Sequence, residues 1–223
     1  MQTKLIFVRH GEAQGNIERV FHGFTNSDLT ENGREQVKRA ADRLKNEHID
    51  FFYASDLKRA YETAATVATF HGCEISVDSR LREINGGLWE EVPWDDLPEL
   101  FPESYAHWLD TPYKLQMPEG ESMEVFYQRL KEVVDEIVIN HAGKTICIAS
   151  HGTAIRVLCS YFKGLPLTKL TDVDWCDNAA ITVVLHDENG YQIITEGDNS
   201  HLLDISTIGK QEWWKKEQER RKK

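Results

Sequence analysis

Residues 5–12 read Leu-Ile-Phe-Val-Arg-His-Gly-Glu. Four apolar residues without polar alternation describe a strand buried on both faces, as in a parallel sheet covered by helices. The run is cut by Arg9 and His10 and ends at Gly11. Chemistry carried there sits beyond the carboxyl end of a strand, where open α/β sheets bind ligands.

The rest of the chain repeats that rhythm. After Thr30, the residues Val37, Ala40, Ala41 and Leu44 fall on one helical face. Residues 51–54 predict a second strand. Ser55 or Asp56 then stands as the cap of a helix striped by Leu57, Ala60, Ala64 and Val67. Residues 74–77 read as a weaker third strand. Ser122 opens a long helix with Phe126, Leu130, Val133 and Ile137 inward, and residues 145–149 make a fourth strand. Residues 153–162 return to helical spacing. Residues 179–186 and 191–195 flank Glu188-Asn189-Gly190, a hairpin signal. The expected fold class is α/β: a three-layer sandwich, a mostly parallel sheet with helices on both faces and an antiparallel edge strand from a C-terminal hairpin. Residues 1–223 are expected to form a single domain. Within it, residues 88–121 lose all period, and residues 88–118 hold five of the six prolines, so this stretch reads as an irregular insertion lying over something.

Composition excludes several classes. The chain has 223 residues, 40% hydrophobic and 28% charged, with no apolar run near the ~18 residues of a membrane span. The apolar run after Lys4 is also too short for a secretory leader. A net charge of −11 repels nucleic-acid phosphates. The charge is uneven, because residues 210–223 carry seven basic and three acidic side chains, a tail read as a solvated end. Cys73, Cys147, Cys159 and Cys176 show no C-x-x-C spacing, which points to a reducing, cytoplasmic compartment without disulfides or a zinc cluster.

Four strand ends deliver a coherent set of side chains. The first supplies Arg9, His10, Glu12 and Asn16, and the second supplies Ser55, Asp56 and Arg59. The third supplies Arg80, Arg82 and Glu83, and the fourth supplies Ser150, His151 and Gly152. Arginines offer paired donors that match phosphoryl oxygens, and helix starts add free N–H groups. A neutral imidazole among cations is a nucleophile, and a carboxyl near a bound dianion can donate a proton. Each residue also has a plainer reading. His10-Gly11 is compatible with a simple turn, Arg59 with a solvated helix, and Glu83 with a salt bridge to Arg80 or Arg82. Arg59 on a first helical turn is disfavoured without an anion to bind. Glu12 and Asp56 read as supporting residues, and His22 and His107 as residues that could border a substrate. Trp94, Trp108, Tyr105 and Tyr113 read as packing for the insertion.

These residues resemble the histidine phosphatase superfamily, the phosphoglycerate-mutase-like proteins. Arg9-His10-Gly11-Glu12 resembles its R-H-G-E signature and Asn16 the asparagine that follows it. Leu29-Thr30-x-x-Gly33, Ser55-Asp56-Leu57-x-Arg59-Ala60-x-x-Thr63-Ala64, Leu81-Arg82-Glu83-Ile84-Asn85-x-Gly87-x-Trp89-Glu90, Gly120-Glu121-Ser122 and Ser150-His151-Gly152 follow in the family's order. The resemblance implies that His10 takes the phosphoryl group as phosphohistidine. It implies that Arg9, Arg59 and His151 hold the phosphoryl oxygens with help from Asn16, and that Glu83 protonates the leaving oxygen and then activates water. His22 joins the substrate-binding set. No metal and no cofactor are implied. One departure stands out: where the family often has Gly after W-E, this chain has Glu91.

The expected function is a phosphomonoester hydrolase of the phosphatase branch, acting on a small phosphorylated metabolite, with no nucleic-acid or membrane partner and an open oligomeric state. A phosphoglycerate mutase is the alternative. The acid motif favours the phosphatase branch, and residues 88–121 contain nine acidic residues against one basic, Lys114, a poor cover for a substrate with several anionic groups. A non-catalytic phospho-ligand binding module would have lost its nucleophile or acid, and a metal hydrolase lacks H-x-H or H-E-x-x-H spacing.

Overall fold

In the computed structural model, which describes residues 1–210, strand β1 (Thr3–Arg9) lies between β4 (Thr145–Ser150) and β5 (Ile181–Asp187). With β2 (Phe51–Ala54), β3 (Ile75–Val77) and β6 (Gly190–Asp198) they make one six-stranded sheet in the order β3-β2-β4-β1-β5-β6. The pairs β1–β4, β2–β4 and β2–β3 are parallel, while β5 is antiparallel to both β1 and β6. The expected C-terminal hairpin therefore stands at the sheet edge, and its first strand carries the reversal. The basic tail after Lys210 lies outside the described residues.

Helices cover both faces because β1 is apolar on both. Ile6 and Val8 pack with Val37, Ala40, Ala41 and Leu44 of α2 (Glu31–Leu44) and Val67 of α3 (Lys58–Ala68). Leu5 and Phe7 pack with Phe126, Leu130 and Val133 of α6 (Met123–Asn140) and Ile155 and Leu158 of α7 (Gly152–Phe162). Each such large aliphatic side chain contributes about 1.5–3 kcal/mol on burial. Thr30 and Ser122 cap α2 and α6 as expected, accepting from Gly33 N and Val125 N. The cap of α3 differs from expectation: its N-cap is Leu57, with no side-chain cap bond. Ser55 and Asp56 are engaged elsewhere, Ser55 with His151 and Asp56 with Arg82.

Residues 88–121 form short pieces: α4 (Leu97–Leu100), α5 (Pro102–Asp110) and single turns either side. They are anchored on Trp89, which is fully buried among Phe21, Trp94, Phe101, Tyr105 and Trp108. Tyr113 lies apart from that packing, 38% exposed beneath Lys114. Hydrogen bonds Phe21 N to Val92 O, Glu91 N to Phe21 O and Trp94 N to Arg19 O stitch the stretch to the segment after the signature, which begins with α1 (Gln14–Glu18).

Candidate active site

Register brings the strand ends together. Val8 and Ala54 both pair with Ala149, and Arg9 pairs with Ser150. His10 N then donates to Ser150 O and Ser55 N to Ala149 O. The next residues, His10 and His151, come to rest with ring centroids 5.2 Å apart. Gly11 lets the signature turn against α2: a Cβ there would meet Gly33 O at 2.5 Å.

His10 is 3% exposed, and its Nδ1 lies 2.7 Å from Gly11 O. That contact places the proton on Nδ1 and leaves the Nε2 lone pair free. Burial first, then the charges of Arg59 and Arg9, hold its pKa well below the ordinary value, so the ring is neutral. His151 is fully buried, with Nε2 2.9 Å from Ser55 Oγ. Burial and Arg59 push its pKa well down too. Ser55 Oγ accepts from Leu57 N; with its own hydrogen given to His151 Nε2, the imidazole proton lies on Nδ1, the tautomer that can donate to a phosphoryl oxygen.

The cations stand around this pair. Arg59 is fully buried, and burial lowers its pKa to about 10. Its Nη1 donates to Thr25 O and its Nη2 to His22 O and Gly23 O. Arg9 Nη1 donates to Cys176 O. Among the described residues, three buried polar atoms of this group have no hydrogen-bond partner: Arg9 Nε, Arg59 Nε and His151 Nδ1. Buried donors of that kind are costly unless a ligand meets them. His22 lies 6.2 Å from His10, centroid to centroid, and is neutral, its pKa lowered to about 3 by burial and by Arg59. Asn16 turns its Oδ1 toward Ala13 N and Asn178 Nδ2. His107 is held in α5 by Thr111 Oγ1.

Glu83 is the acid candidate. The salt-bridge reading is excluded by its neighbours, since Arg80 is taken by Asp78 and Glu136 and Arg82 by Asp56. Glu83 is 9% exposed, with Oε1 accepting from Ile84 N and Oε2 from Thr153 N. Burial raises its pKa against those bonds and against Arg59, which favours the protonated carboxyl relative to an ordinary glutamate.

Residues that sequence reasoning passed over hold this set in place. Arg129 of α6 donates to the carbonyls of Arg80, Arg82 and Glu83 and pairs with Glu121. Glu90 accepts from Gly23 N, Phe24 N, Thr25 N and Gly86 N, while Arg59 takes carbonyls of the same loop. In the sequence both resemble ordinary surface charges. The only signal is position, Glu90 inside the acid motif and Arg129 on the inward side of α6.

The family model for the histidine phosphatase superfamily (branch 1) matches residues 5–199. Phosphoserine phosphatase 1 of Hydrogenobacter thermophilus is 33% identical over 200 residues, 90% of this chain and 94% of that protein. Phosphoglycerate mutase-like protein 4 of Arabidopsis thaliana is 34% identical over 204 residues, 90% of this chain and 87% of that protein. Among solved structures, Bacillus stearothermophilus YhfR superposes with a TM-score of 0.86 at 34% identity, covering 90% of this chain and 99% of that one. With its signature strand, its paired histidines and this extent of likeness, the chain belongs to the histidine phosphatase superfamily.

Proposed function

We propose that the protein is a phosphatase that hydrolyses a small phosphomonoester through a phosphohistidine on His10. The observation that carries the reading is the group of unpartnered buried atoms Arg9 Nε, Arg59 Nε and His151 Nδ1 around a neutral imidazole. They supply donors for the oxygens of a phosphoryl group beside a free Nε2 lone pair. His10 Nε2 attacks phosphorus, and the bond from phosphorus to the leaving oxygen breaks. Glu83 gives that oxygen its proton. The resulting carboxylate then takes a proton from water, whose oxygen attacks phosphorus and releases phosphate from His10. Asn16 and His22 border the substrate. The protein acts as one catalytic domain, with residues 88–121 covering the leaving group.

A compact leaving group that is neutral or cationic fits best. The chain is acidic overall and its insertion is acidic, and a relative at 33% identity is named a phosphoserine phosphatase. Phosphoserine, whose ammonium group offsets its carboxylate, is the first substrate to try. Among the described residues no helix is long and apolar enough to cross a membrane. With free cysteines at four positions, a cytoplasmic setting suits the chain. The test is a panel of phosphomonoesters, phosphoserine included, assayed for phosphate release in chelator, with 3- to 2-phosphoglycerate interconversion followed alongside. Phosphate release is expected to exceed interconversion; the reverse overturns the hydrolase reading, and loss of turnover in chelator overturns the metal-free mechanism.

A further inference from the structure

The family match ends at residue 199, yet the chain beyond it reaches back to the nucleophile. Asp177, 2% exposed, has a carboxylate that accepts from Asn178 N, Asn199 Nδ2, Ser206 Oγ, Thr207 N, Thr207 Oγ1 and Ile208 N. Burial alone would raise its pKa, but the bonds from Ser206, Thr207 and Ile208 outweigh it and hold the group ionised. Thr207 Oγ1 is also 3.0 Å from Asn178 Oδ1. Asn178 turns its Nδ2 the other way, 3.2 Å from His10 O and 3.5 Å from Asn16 Oδ1. Ala179 N donates to the same His10 carbonyl.

Ala179 has φ of 54°, fully buried. A non-glycine residue in the left-handed region is sterically strained and persists where its surroundings over-determine it. They do so here, with Asp177 fixed two residues before and Ala179 O meeting His201 Nε2 at 3.1 Å. The last described segment is itself braced against α2. Gln36 Nε2 donates to Ile205 O while Gln36 Oε1 accepts from Glu12 N, and Arg39 Nη1 donates to Leu202 O. The chain thus runs from α2 through residues 202–208 to Asp177, then through Asn178 and Ala179 to His10.

We propose that Asp177, Ser206 and Thr207 form a clasp that positions the His10 main chain and the Asn16 side chain for phosphoryl transfer. They are positioning residues: the clasp touches no substrate and acts through Asn178 and the strained turn at Ala179. It rests on His10 being the nucleophile. A nucleophile displaced by a fraction of an ångström loses rate without losing the phosphate-binding arginines, so the effect falls on the chemical step more than on KM.

The experiment is rapid-quench phosphorylation of the full chain with phosphoserine and p-nitrophenyl phosphate, using Thr207→Val, Thr207→Ser and Ser206→Ala. Rates are taken per active site, counted from the phosphoenzyme amplitude, with Tm recorded for each variant. Thr207→Val is expected to form phosphohistidine about tenfold more slowly with KM nearly unchanged. Thr207→Ser, which restores the hydroxyl, is expected to recover the rate, and Ser206→Ala to show a smaller loss. If wild type is phosphorylated and Thr207→Val reacts at its rate with only a lower Tm, the clasp is structural and the proposal fails. Should Thr207→Val not fold, a wild-type rate in Ser206→Ala overturns it equally. A wild-type chain that carries no phosphoryl group on His10 rejects the nucleophile reading itself, a separate result.

Discussion

Glu83 carries the sharpest consequence at the scale of one residue. An alkoxide is a poor leaving group and needs a proton, whereas nitrophenolate hardly does. General acid catalysis is worth ~10²–10⁴ in rate, so Glu83→Gln should slow phosphorylation by alkyl phosphates by about that factor and by p-nitrophenyl phosphate far less. Equal losses for both esters in burst kinetics would make Glu83 a binding residue instead. Its pKa also sets a pH limb. The carboxyl must be protonated for the first step, and burial raises its pKa above the ordinary value, so phosphorylation by an alkyl ester should fall as pH rises through that raised pKa. His10 contributes no acid limb near neutrality, because burial and two arginines keep it neutral well below the ordinary histidine pKa. Measured kcat/KM for the alkyl ester should therefore decline on the alkaline side, and Glu83→Gln should flatten that decline. The residues proposed to react are legible in the sequence because each follows a strand. What orients them is not, because Ser55, Asn178 and Arg129 act through hydrogen bonds between positions from 46 to 168 apart in the chain.

Elements are legible where periodicity is strong and less so where a local rule is broken for the site. The apolar spacing of α2 and α6 and their Thr30 and Ser122 caps identify both helices. The start of α3 departs from its expected cap because two good capping residues are used for tertiary bonds. The turn after the acid motif is the clearest broken rule. Glu91 occupies a position where the family often has glycine, and it keeps the turn by taking φ of 65°. Glycine avoids the steric cost of that region but loses more chain entropy on folding. Glu91→Gly is therefore expected to stabilise the protein by about 0.5–1 kcal/mol, raising Tm by roughly 1–4 °C for a chain of this size, with kcat unchanged. A fall in Tm would mean that the turn is not strained. The Arg129–Glu121 pair tests the opposite case. Its side chains are 16% and 15% exposed, and Arg129 holds three carbonyls of residues 80–83. Arg129→Ala should cost on the order of 3 kcal/mol, since it strands a half-buried carboxylate and those carbonyls together. Urea denaturation gives that figure directly, and a loss under 1 kcal/mol would reduce the pair to a surface contact.

Charge belongs to the whole molecule, and there composition yields the sum but not the placement. Nine acidic residues between 88 and 121 read as a uniform anionic cover. In the fold they play different parts. Glu90 binds backbone amides, Glu121 binds Arg129, and Asp95 meets Arg19 at the surface. The remaining six, in a chain whose net charge is −11, still set a negative field through which a substrate must pass. Phosphoserine and 3-phosphoglycerate are a suited pair of probes. They share a phosphate, a carboxylate and a three-carbon frame, and differ by an ammonium in place of a hydroxyl. A field acting at a distance favours phosphoserine by an amount that salt removes, because the screening length falls from about 30 Å at 0.01 M to about 8 Å at 0.15 M. A direct contact to the ammonium inside the closed site is screened much less. The ratio of kcat/KM for phosphate release from the two esters should therefore exceed one at low salt and narrow as salt rises to 0.15 M. Its residual value then measures the contacts made inside the site. A ratio that favours phosphoserine and does not move with salt assigns the discrimination wholly to those contacts, and a ratio below one removes the charge argument altogether.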